Sequence, residues 1–566
     1  MKLTGAQIIC ECLLKEGVEV MFGLPGGAIL PFYGTLPQYP QLRHILVRHE
    51  QGAAHAADGY GRATGKVGVC IATSGPGAAN LVTGIMTAHM DSSPVVAITG
   101  QVPRAMIGKD AFQETDVTGI TLPITKHNYL VMSPGDIPMA IREAFYLART
   151  GRPGPVLVDI PRDVLQEEAE FEGYPEEMNL PGYCPNPEPD MEQIKRAAAL
   201  ISGAHKPVIV AGRGVNISGA HDELKELAEK AQIPVITTLL GLSGLPGDHV
   251  LSLGMPGMHG VAWASIAIEE ADLLVAIGMR FDDRVTGKAS AFAPNSKKIH
   301  IDIDASEIGK NVQVDVPIIG DVKEVLKALN QLIHTNTHVD WLNQIEEWRR
   351  EHPSLNIRDT DSLLPQYILQ QLQQETKGEA IIVTGVGQHQ MWAAQYLFFT
   401  TPNSFITSGG AGSMGFEVPA AMGAQVGCPD RVVWSVAGDG GFQMTMQELT
   451  TMVEEQIPVK FAIMNNQYHG MVRQWQEFFY KKAYTATKFL NPDFVKLAEA
   501  FGCLGIRVTE KKQVIPAIHK AMSYDGPVIV DFVVEPEENV YPMIPSGQTV
   551  ADMIEEPTTE AVFKQS

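Results

Sequence analysis

Short apolar segments recur along the chain, and most are followed by a glycine-containing turn and a segment of helical periodicity. Segments that are apolar at consecutive positions are typical of strands buried on both faces, and their alternation with helices predicts parallel, doubly wound sheets of the α/β class. The predicted strands are Val18–Phe22, Ile45–Val47, Val67–Ala72, Val95–Thr99, Val156–Ile160, Val208–Ala211, Val235–Thr237, Leu273–Ile277, Ile299–Ile303, Ile381–Thr384, Val432–Ala437 and Val459–Met464.

Two stretches without a regular period divide this pattern into three blocks. Residues 166–190 are rich in proline and glutamate, and residues 336–364 are polar with helical fragments; both are predicted linkers. The predicted domains are therefore 1–165, 191–335 and 365–545. The acidic tail, 546–566, is open to two interpretations, a lid or a solvated terminus.

Composition narrows the class of protein further. The chain has 566 residues, 45% of them hydrophobic and 19% charged, which is typical of globular proteins. A formal charge of −22 argues against a nucleic-acid partner. The six cysteines have no metal or disulfide spacing, and no signal peptide or membrane-length apolar run is apparent, so we expect a cytoplasmic protein that does not associate with membranes.

One predicted βαβ unit places oxygen ligands together. Asp439 follows the strand Val432–Ala437 in an exit turn, a helix is predicted over 445–456, and Asn466 follows the next strand. Both side chains then lie at carboxyl ends of neighbouring strands, where open α/β sheets bind ligands. A carboxylate and an amide oxygen suit Mg²⁺. The alternative is two unrelated turns.

The spacing of this unit favours the first interpretation. In the order GDG then NN, 24 residues separate Gly440 from Asn465, which resembles the signature of thiamine diphosphate (ThDP) enzymes. The resemblance implies that Asp439, Asn466 and the carbonyl of Tyr468 bind Mg²⁺, which anchors the cofactor diphosphate beside Gly438 and Gly440.

A second motif of that family, RHEQ, contains Glu50 just after a predicted strand. By itself such a glutamate is a first-turn residue that complements a helix dipole. The resemblance implies instead that Glu50 hydrogen-bonds N1′ of the cofactor's aminopyrimidine and promotes formation of the reactive carbanion.

Further segments narrow the resemblance and cover nearly the whole chain. Among them are LPGGA (24–28), TSGPGAANLVTGI (73–85), DAFQETD (110–116), RFDDRVTGK (280–288) and MVRQWQ (471–476). In order and spacing they are similar to the catalytic subunit of the acetohydroxyacid synthase (acetolactate synthase) family. That family decarboxylates pyruvate and joins the two-carbon fragment to a second pyruvate or to 2-oxobutyrate, at the start of valine, leucine and isoleucine biosynthesis.

The resemblance assigns roles to individual residues. Arg284 would hold the acceptor carboxylate, and Trp475 would favour 2-oxobutyrate by packing on its extra methyl group. Without the family, Arg284 would be an ion-pair partner of Asp282 or Asp283, and Trp475 a core aromatic residue. The other implied positions are Gln113 and Gly27 near the reacting centre, Met414 beneath the bent cofactor, and Gln388 and His389 at the diphosphate.

The middle block resembles the family's FAD domain, with FAD as a structural cofactor because the reaction involves no net redox change. The implied FAD contacts are Arg152, His259, Arg280, Asp302 and Asp321. Gly212-Arg213-Gly214 is a dinucleotide-type signal that carries little weight alone.

The chain departs from the family pattern in SGGAGSMGFEVPAA, at Ala411, Ser413, Glu417 and Val418, and again at His469. Glu417 introduces a carboxylate where a glycine is usual, which leaves acceptor preference and cofactor affinity open. The alternatives are a catabolic acetolactate synthase, a sulfoacetaldehyde acetyltransferase, a glyoxylate carboligase-like enzyme, or a non-catalytic nucleotide-binding scaffold. The resemblance also implies a homodimer or a dimer of dimers, and a small regulatory subunit.

Overall fold

The structure, a computed structural model, describes residues 1–556. It contains three six-stranded sheets in which every strand pairs parallel to its neighbours, with helices on both faces. The predicted α/β class with three doubly wound domains is confirmed. Within residues 1–556, no helix has the length and apolarity needed to cross a membrane.

The N-terminal sheet has the strand order β3-β2-β4-β5-β7-β6, and a short antiparallel pair, β1 and β8, lies outside it. Its strands are β1 Lys2–Thr4, β2 Val20–Gly23, β3 Arg43–Leu46, β4 Gly68–Ala72, β5 Val95–Gln101, β6 His127–Leu130, β7 Val156–Pro161 and β8 Glu168–Glu170. Its helices are α1 Gly5–Lys15, α2 Leu30–Thr35, α3 Glu50–Thr64, α4 Pro76–Asn80, α5 Val82–Met90, α6 Val117–Thr121, α7 Ile137–Arg149 and α8 Arg162–Gln166.

The middle sheet has the order β11-β10-β9-β12-β13-β14. Its strands are β9 Pro207–Ala211, β10 Val235–Thr237, β11 Ser252–Gly254, β12 Leu273–Ile277, β13 Lys297–Asp302 and β14 Val316–Ile319. Its helices are α9 Met191–Gly203, α10 Arg213–Ser218, α11 His221–Ala231, α12 Ala262–Glu270, α13 Asp283–Thr286, α14 Val322–Leu332 and α15 Val339–Glu351. The chain builds outward from β9 on one side and then from β12 on the other, so the topological switch point lies between β9 and β12.

The C-terminal sheet has the order β16-β15-β17-β18-β20-β19. Its strands are β15 Ile381–Thr384, β16 Phe405–Thr407, β17 Val433–Gly438, β18 Lys460–Asn465, β19 Leu504–Val508 and β20 Val528–Val533. Its helices are α16 Pro365–Thr376, α17 Gln388–Tyr396, α18 Glu417–Gly427, α19 Asp439–Thr445, α20 Glu448–Glu454, α21 Gly470–Phe479, α22 Phe494–Phe501 and α23 Val514–Met522.

The N-terminal and C-terminal domains share one hydrophobic core, which is centred on helices α3 and α18. Their backbones touch: a Cβ atom added to Gly59 would lie 2.1 Å from the carbonyl oxygen of Ala420, and one added to Gly423 would lie 1.9 Å from that of Ala56. Only glycine permits this approach at both crossings. The two domains therefore pack as a fixed pair.

One local prediction needs correction, and one predicted linker contains an ordered helix. No exit turn separates β17 from the following helix, because α19 begins at Asp439 itself; the single helix predicted over 445–456 is instead the two helices α19 and α20. The predicted linker 336–364 contains α15, whose Trp341 is buried against the middle domain and donates its indole N–H to the carbonyl of Pro207 at 3.1 Å.

The predicted tail is partly ordered onto the protein. The backbone N–H of Lys288 donates to the carbonyl of Gln548 at 3.0 Å, and Ile554 pairs with Met543 in an isolated antiparallel bridge. Residues 557–566 of that tail lie outside the described residues.

Candidate active site

Glu50 is the first residue of α3, directly after the carboxyl end of β3. It is only 6% exposed, and its Oε2 atom accepts a hydrogen bond from the side-chain amide of Asn80 at 2.9 Å. His49 caps the helix by accepting the N–H of Gln51 on Nδ1. The carboxylate is thus held in a fixed orientation at the edge of the N-terminal sheet.

A tight turn after β4, residues 73–77, brings the other N-terminal candidates to Glu50. Gly77 leaves room for Glu50, because a Cβ atom there would lie 3.2 Å from Oε1. Gly75 has a φ of +60° and packs against the backbone of Gln113. Thr73 accepts the N–H of Ala28 at 3.2 Å, which places neighbouring Gly27 beside the same turn. Gly27, Glu50 and Gln113 therefore surround one turn.

The helix that carries Glu50 is also held from the C-terminal domain. Glu448, the fully buried first residue of α20, accepts the backbone N–H groups of Arg48 and His49 at 3.0–3.1 Å. Gly52 makes room for this carboxylate, since a Cβ atom there would lie 2.5 Å from it. Burial raises the pKa of Glu448 to about 7. Nothing in the local sequence identified this contact, because the partners are about 400 residues apart.

In the C-terminal domain, Asp439 lies where β17 meets α19. Its Oδ1 atom accepts the N–H of Gly440 at 2.9 Å, and Oδ2 accepts the N–H of Gln467 at 2.7 Å and the side-chain amide of Asn491 at 2.8 Å. Burial raises the pKa of Asp439 to about 6. Among residues 1–556 no basic side chain lies within 4.0 Å of this carboxylate.

Asn466 follows β18, the neighbour of β17, in a turn in which Gln467 has a φ of +59°. The Oδ1 atom of Asn466 accepts the N–H of Tyr468 at 3.0 Å, and Asp439 accepts the N–H of Gln467, the residue between them. The three predicted Mg²⁺ ligands therefore lie close together. No cluster of three or more His, Cys, Asp or Glu side chains suited to a metal exists in the described part of the chain. One carboxylate, one amide and one carbonyl nevertheless fit Mg²⁺, which takes oxygen ligands and keeps several waters.

The predicted diphosphate contacts surround this turn. Gln388 lies 3.5 Å from Asn466, and its amide donates to Gln474 and to the carbonyl of Glu538, both at 2.9 Å. His389 packs on Gly438, where a Cβ atom would lie 2.7 Å from its ring. Burial lowers the pKa of His389 to about 3, so this imidazole is neutral.

Two departures from the family pattern lie at the same site. The ring of His469 and the methyl group of Met414 meet over Gly440, whose added Cβ atom would be 3.0 and 3.1 Å from them. Glu417 is fully buried with its carboxyl group between Gly385 and Gly441, and within residues 1–556 neither oxygen has a side-chain donor or a backbone hydrogen bond of normal geometry, although the N–H groups of Gly415 and Glu417 are near. Burial raises its pKa to about 7.

A cavity of about 990 Å³ is lined by residues of all three domains. This volume is typical of a site for a large organic cofactor. Residues from both predicted sets line it: the FAD candidates Arg152, His259, Arg280, Asp302 and Asp321, together with Arg284, Met414 and Trp475.

The charges of the cavity are mostly paired. Arg152 contacts Glu307 at 2.7 Å and Asp304 at 3.1 Å, whereas Arg284 lies 3.8 Å from Asp283, with both side chains largely exposed. A 3.8 Å pair in water is weak, so Arg284 remains available to a ligand. Burial raises the pKa of Asp302 to about 6.

The structure thus gathers the predicted residues into three groups. The first surrounds Glu50, the second surrounds Asp439, and the third lines the cavity, whose lining does not include Glu50 or Asp439. Asn80 and Asn491, which orient the two carboxylates, were not singled out from the sequence. Asn80 lies within the quoted segment TSGPGAANLVTGI, but Asn491 belongs to a loop 52 residues from Asp439 and carries no sequence signal.

Comparison with known families identifies the class of protein that has these three domains. The chain matches the N-terminal TPP binding domain (residues 3–120), the central domain (194–329) and the C-terminal TPP binding domain (385–532) of thiamine pyrophosphate enzymes. Three parallel-sheet domains with Glu50 and the Asp439–Asn466 turn at strand ends therefore define a thiamine diphosphate enzyme.

Full-length relatives narrow the class. The chain is 52% identical over 559 residues to an acetolactate synthase of Mycobacterium bovis, covering 96% of this chain and 90% of that protein. It is 50% identical over 564 residues to the acetolactate synthase large subunit of Corynebacterium glutamicum (98% and 90%), and 49% identical over 567 residues to the chloroplastic acetolactate synthase 1 of Oryza sativa (97% and 87%). The chain belongs to the acetolactate synthase family.

Proposed function

We propose that the protein decarboxylates pyruvate and transfers the two-carbon fragment to a second pyruvate or to 2-oxobutyrate, the first common step of branched-chain amino acid biosynthesis. The proposal is carried by the retention of Glu50 together with the Asp439–Asn466 turn, in a chain about 50% identical to acetolactate synthases over nearly its whole length. A scaffold protein would have no use for two buried carboxylates oriented in this way.

Thiamine diphosphate, when bound, would supply a nucleophilic carbon and an electron sink for the decarboxylation of the 2-oxoacid. The chain's own part is positioning. Asp439, Asn466 and the Tyr468 carbonyl would hold Mg²⁺ against the diphosphate, and Gln388 and the neutral His389 would flank it. Glu50, fixed by Asn80, would hold a proton at the aminopyrimidine nitrogen.

Two residues that line the cavity, Arg284 and Trp475, would select the acceptor 2-oxoacid. The guanidinium of Arg284, which lies 3.8 Å from Asp283 and donates Nη1 to the sulfur of Met258 at 3.3 Å, would bind the acceptor carboxylate through two parallel N–H groups. Trp475, stacked edge-on against Phe479 at 5.5 Å, lines the same cavity and would contact the extra methyl group of 2-oxobutyrate. A single methyl group is worth about 1–3 kcal/mol, so the preference has a limit.

FAD is proposed as the occupant of the cavity, with a structural role. It would contact Arg152, His259, Arg280, Asp302 and Asp321. Asp302 ends β13 and Asp321 follows β14, the position at which parallel sheets bind ribose hydroxyl groups.

The active form is proposed to be a homodimer, or a dimer of dimers, in the cytoplasm. Exposed apolar side chains adjoin both halves of the site: Phe112 next to Gln113 is 89% exposed, and Leu490 next to Asn491 is 90% exposed. A second copy would cover them, and, as the family resemblance implies, the Glu50 group of one chain and the Asp439 group of the other would together form each active site. A small regulatory subunit is a further expected partner.

The test is product formation by purified protein supplied with pyruvate, with and without 2-oxobutyrate, ThDP, Mg²⁺ and FAD. Acetolactate and acetohydroxybutyrate together, with activity lost when FAD is stripped, are expected. Activity without FAD dependence would favour a catabolic enzyme, and no CO₂ release from pyruvate would refute the substrate assignment.

Two variants separate the proposed roles. Glu50→Gln is expected to lose most turnover while still binding ThDP and Mg²⁺ in a calorimetric titration, whereas Asp439→Ala is expected to lose Mg²⁺-dependent binding itself. Glu454→Gln is a matched control, because this exposed carboxylate is an ion-pair partner of Arg48 near the same helix. Near-normal turnover in the Glu50 variant would contradict the mechanism.

A further inference from the structure

The loop Gly212-Arg213-Gly214 follows the carboxyl end of β9 and carries a single side chain, that of Arg213. Both glycines pack on backbone: Cβ atoms added to Gly212 and Gly214 would lie 2.3 and 2.6 Å from atoms of Gly278, which follows β12. The loop is therefore clamped between the ends of β9 and β12. Those strands flank the topological switch point, the place where open α/β sheets bind ligands.

Arg213 lies deep in the protein, and the surface that it keeps accessible faces the 990 Å³ cavity. Its Nη2 atom donates to the hydroxyl of Ser93 at 2.8 Å, and its buried Nε atom has no hydrogen-bond partner within residues 1–556. Burial, with the neighbouring Arg62, lowers the pKa of Arg213 to about 10, so it is a cation at neutral pH. Its donors are largely unused.

The nearest carboxylates are engaged elsewhere. Asp58 accepts two hydrogen bonds from Arg62, at 2.7 and 2.8 Å. Asp91 accepts one from Arg62 at 2.9 Å and the backbone N–H groups of Gly409 and Gly410. These two acids balance the charge of Arg213 only at longer range and leave its donors free.

Other arginines of the cavity differ in this respect. Arg152 is paired with Glu307, Arg280 lies 3.6 Å from Asp282, and Arg284 lies 3.8 Å from Asp283. Arg213 has no carboxylate within 4.0 Å in the described part of the chain. A partly buried guanidinium with free donors at the wall of a ligand-sized cavity is suited to bind an anion.

We propose that Arg213 is the anion-binding residue of this cavity and that it holds the diphosphate of a dinucleotide. The inference rests on the proposed occupant, FAD. Neighbouring parallel strands are about 4.8 Å apart, so Asp302 at the end of β13 lies within reach of a ribose on a diphosphate bound at the switch point. The fork of the guanidinium suits two phosphate oxygens, which a lysine would bind as a point charge.

The experiment compares FAD with riboflavin, which has the same ring and no phosphate, by flavin fluorescence on the full chain. Arg213→Gln is expected to weaken FAD binding about 10- to 100-fold, the range for a lost charge-assisted hydrogen bond, and to leave riboflavin binding unchanged. Arg213→Lys is expected to recover part of the loss. Arg142→Gln serves as the control, because it removes a partly buried arginine, paired with Glu16 at 2.8 Å, outside the cavity lining.

Unchanged FAD affinity in Arg213→Gln would overturn the proposal, and so would an equal loss for FAD and riboflavin, which would indicate a change of cavity shape. ADP as a second probe separates the inference from the proposed cofactor. If the wild-type protein binds no flavin but binds ADP in an Arg213-dependent way, FAD is the wrong occupant and the anion site stands. If ADP binding is also independent of Arg213, the inference fails.

Discussion

Replacing Glu417 by glutamine is predicted to stabilise the protein at alkaline pH. Glu417 begins α18 with no exposed surface, and its carboxyl group is enclosed by Gly385 and Gly441 without a hydrogen-bond donor at normal geometry. An ionised carboxylate in such a place loses its hydration without gaining a cation or a hydrogen bond of normal geometry. The neutral acid and the neutral amide of glutamine do not bear that cost.

The magnitude follows from the pKa. Burial raises the pKa of Glu417 from 4.5 to about 7, so the folded protein binds this proton more tightly than the unfolded chain does. The stabilisation is complete below about pH 4.5 and is lost as pH rises through 7. Since one pKa unit is worth about 1.4 kcal/mol, the wild-type protein gives up about 3 kcal/mol of unfolding free energy over that range.

The assay is urea unfolding of the cofactor-free protein, followed by tryptophan fluorescence at about pH 5 and about pH 9. We expect Glu417→Gln and wild type to have similar midpoints at the lower pH, and the variant to have the higher midpoint at the upper pH. Glu454→Gln is the control, because that carboxylate is exposed, keeps most of its hydration in the folded protein and should leave both midpoints nearly unchanged. A Glu417 variant that is no more stable at the higher pH would show that the ionised carboxylate finds water or a partner, and would refute the reasoning.

Three other variants test the packing around the site. Glu448→Gln removes an acceptor of backbone N–H groups at the start of α3, so we expect a lower thermal midpoint and a fall in kcat larger than the change in KM, measured by steady-state kinetics. Arg62→Met leaves Asp58 and Asp91 buried without their cation and should cost about 3–5 kcal/mol in urea unfolding; an unchanged midpoint would contradict the charge cluster. Trp475→Leu should lower the ratio of acetohydroxybutyrate to acetolactate by about tenfold or more in a competition assay, and an unchanged ratio would exclude Trp475 from acceptor choice.

Most interior strands were predictable from sequence, and most edge strands were not; the exceptions are the interior strand β20, which was missed, and the edge strand β3, which was predicted in part. Strands β10, β12 and β15 have the predicted boundaries, because a strand covered on both faces must be apolar at every position. The edge strands β6, β14 and β19 carry polar residues or proline, so their sequences do not stand out from loops. The amphipathic α15 lay in a segment interpreted as a linker, since its only strong signals were the two tryptophans that bury it, Trp341 and Trp348.

The residues of the site divide in a similar way, into those that the sequence identified and those that only the structure revealed. Asp439 and Glu50 could be found because each follows a recognisable strand within a short motif, although their assignment to a cofactor came from family resemblance. Glu448 and Arg213 could not be interpreted in that way, because remote parts of the chain determine their surroundings. Glu448 accepts backbone N–H groups about 400 residues away, and Arg213 has few hydrogen-bond partners among the residues packed around it. The sequence identified Glu417 as an anomaly but gave no reason for its acceptance. The structure supplies one: Gly385 and Gly441 leave the volume of two side chains in which a protonated carboxyl group fits, so the substitution is tolerated as long as the acid stays neutral.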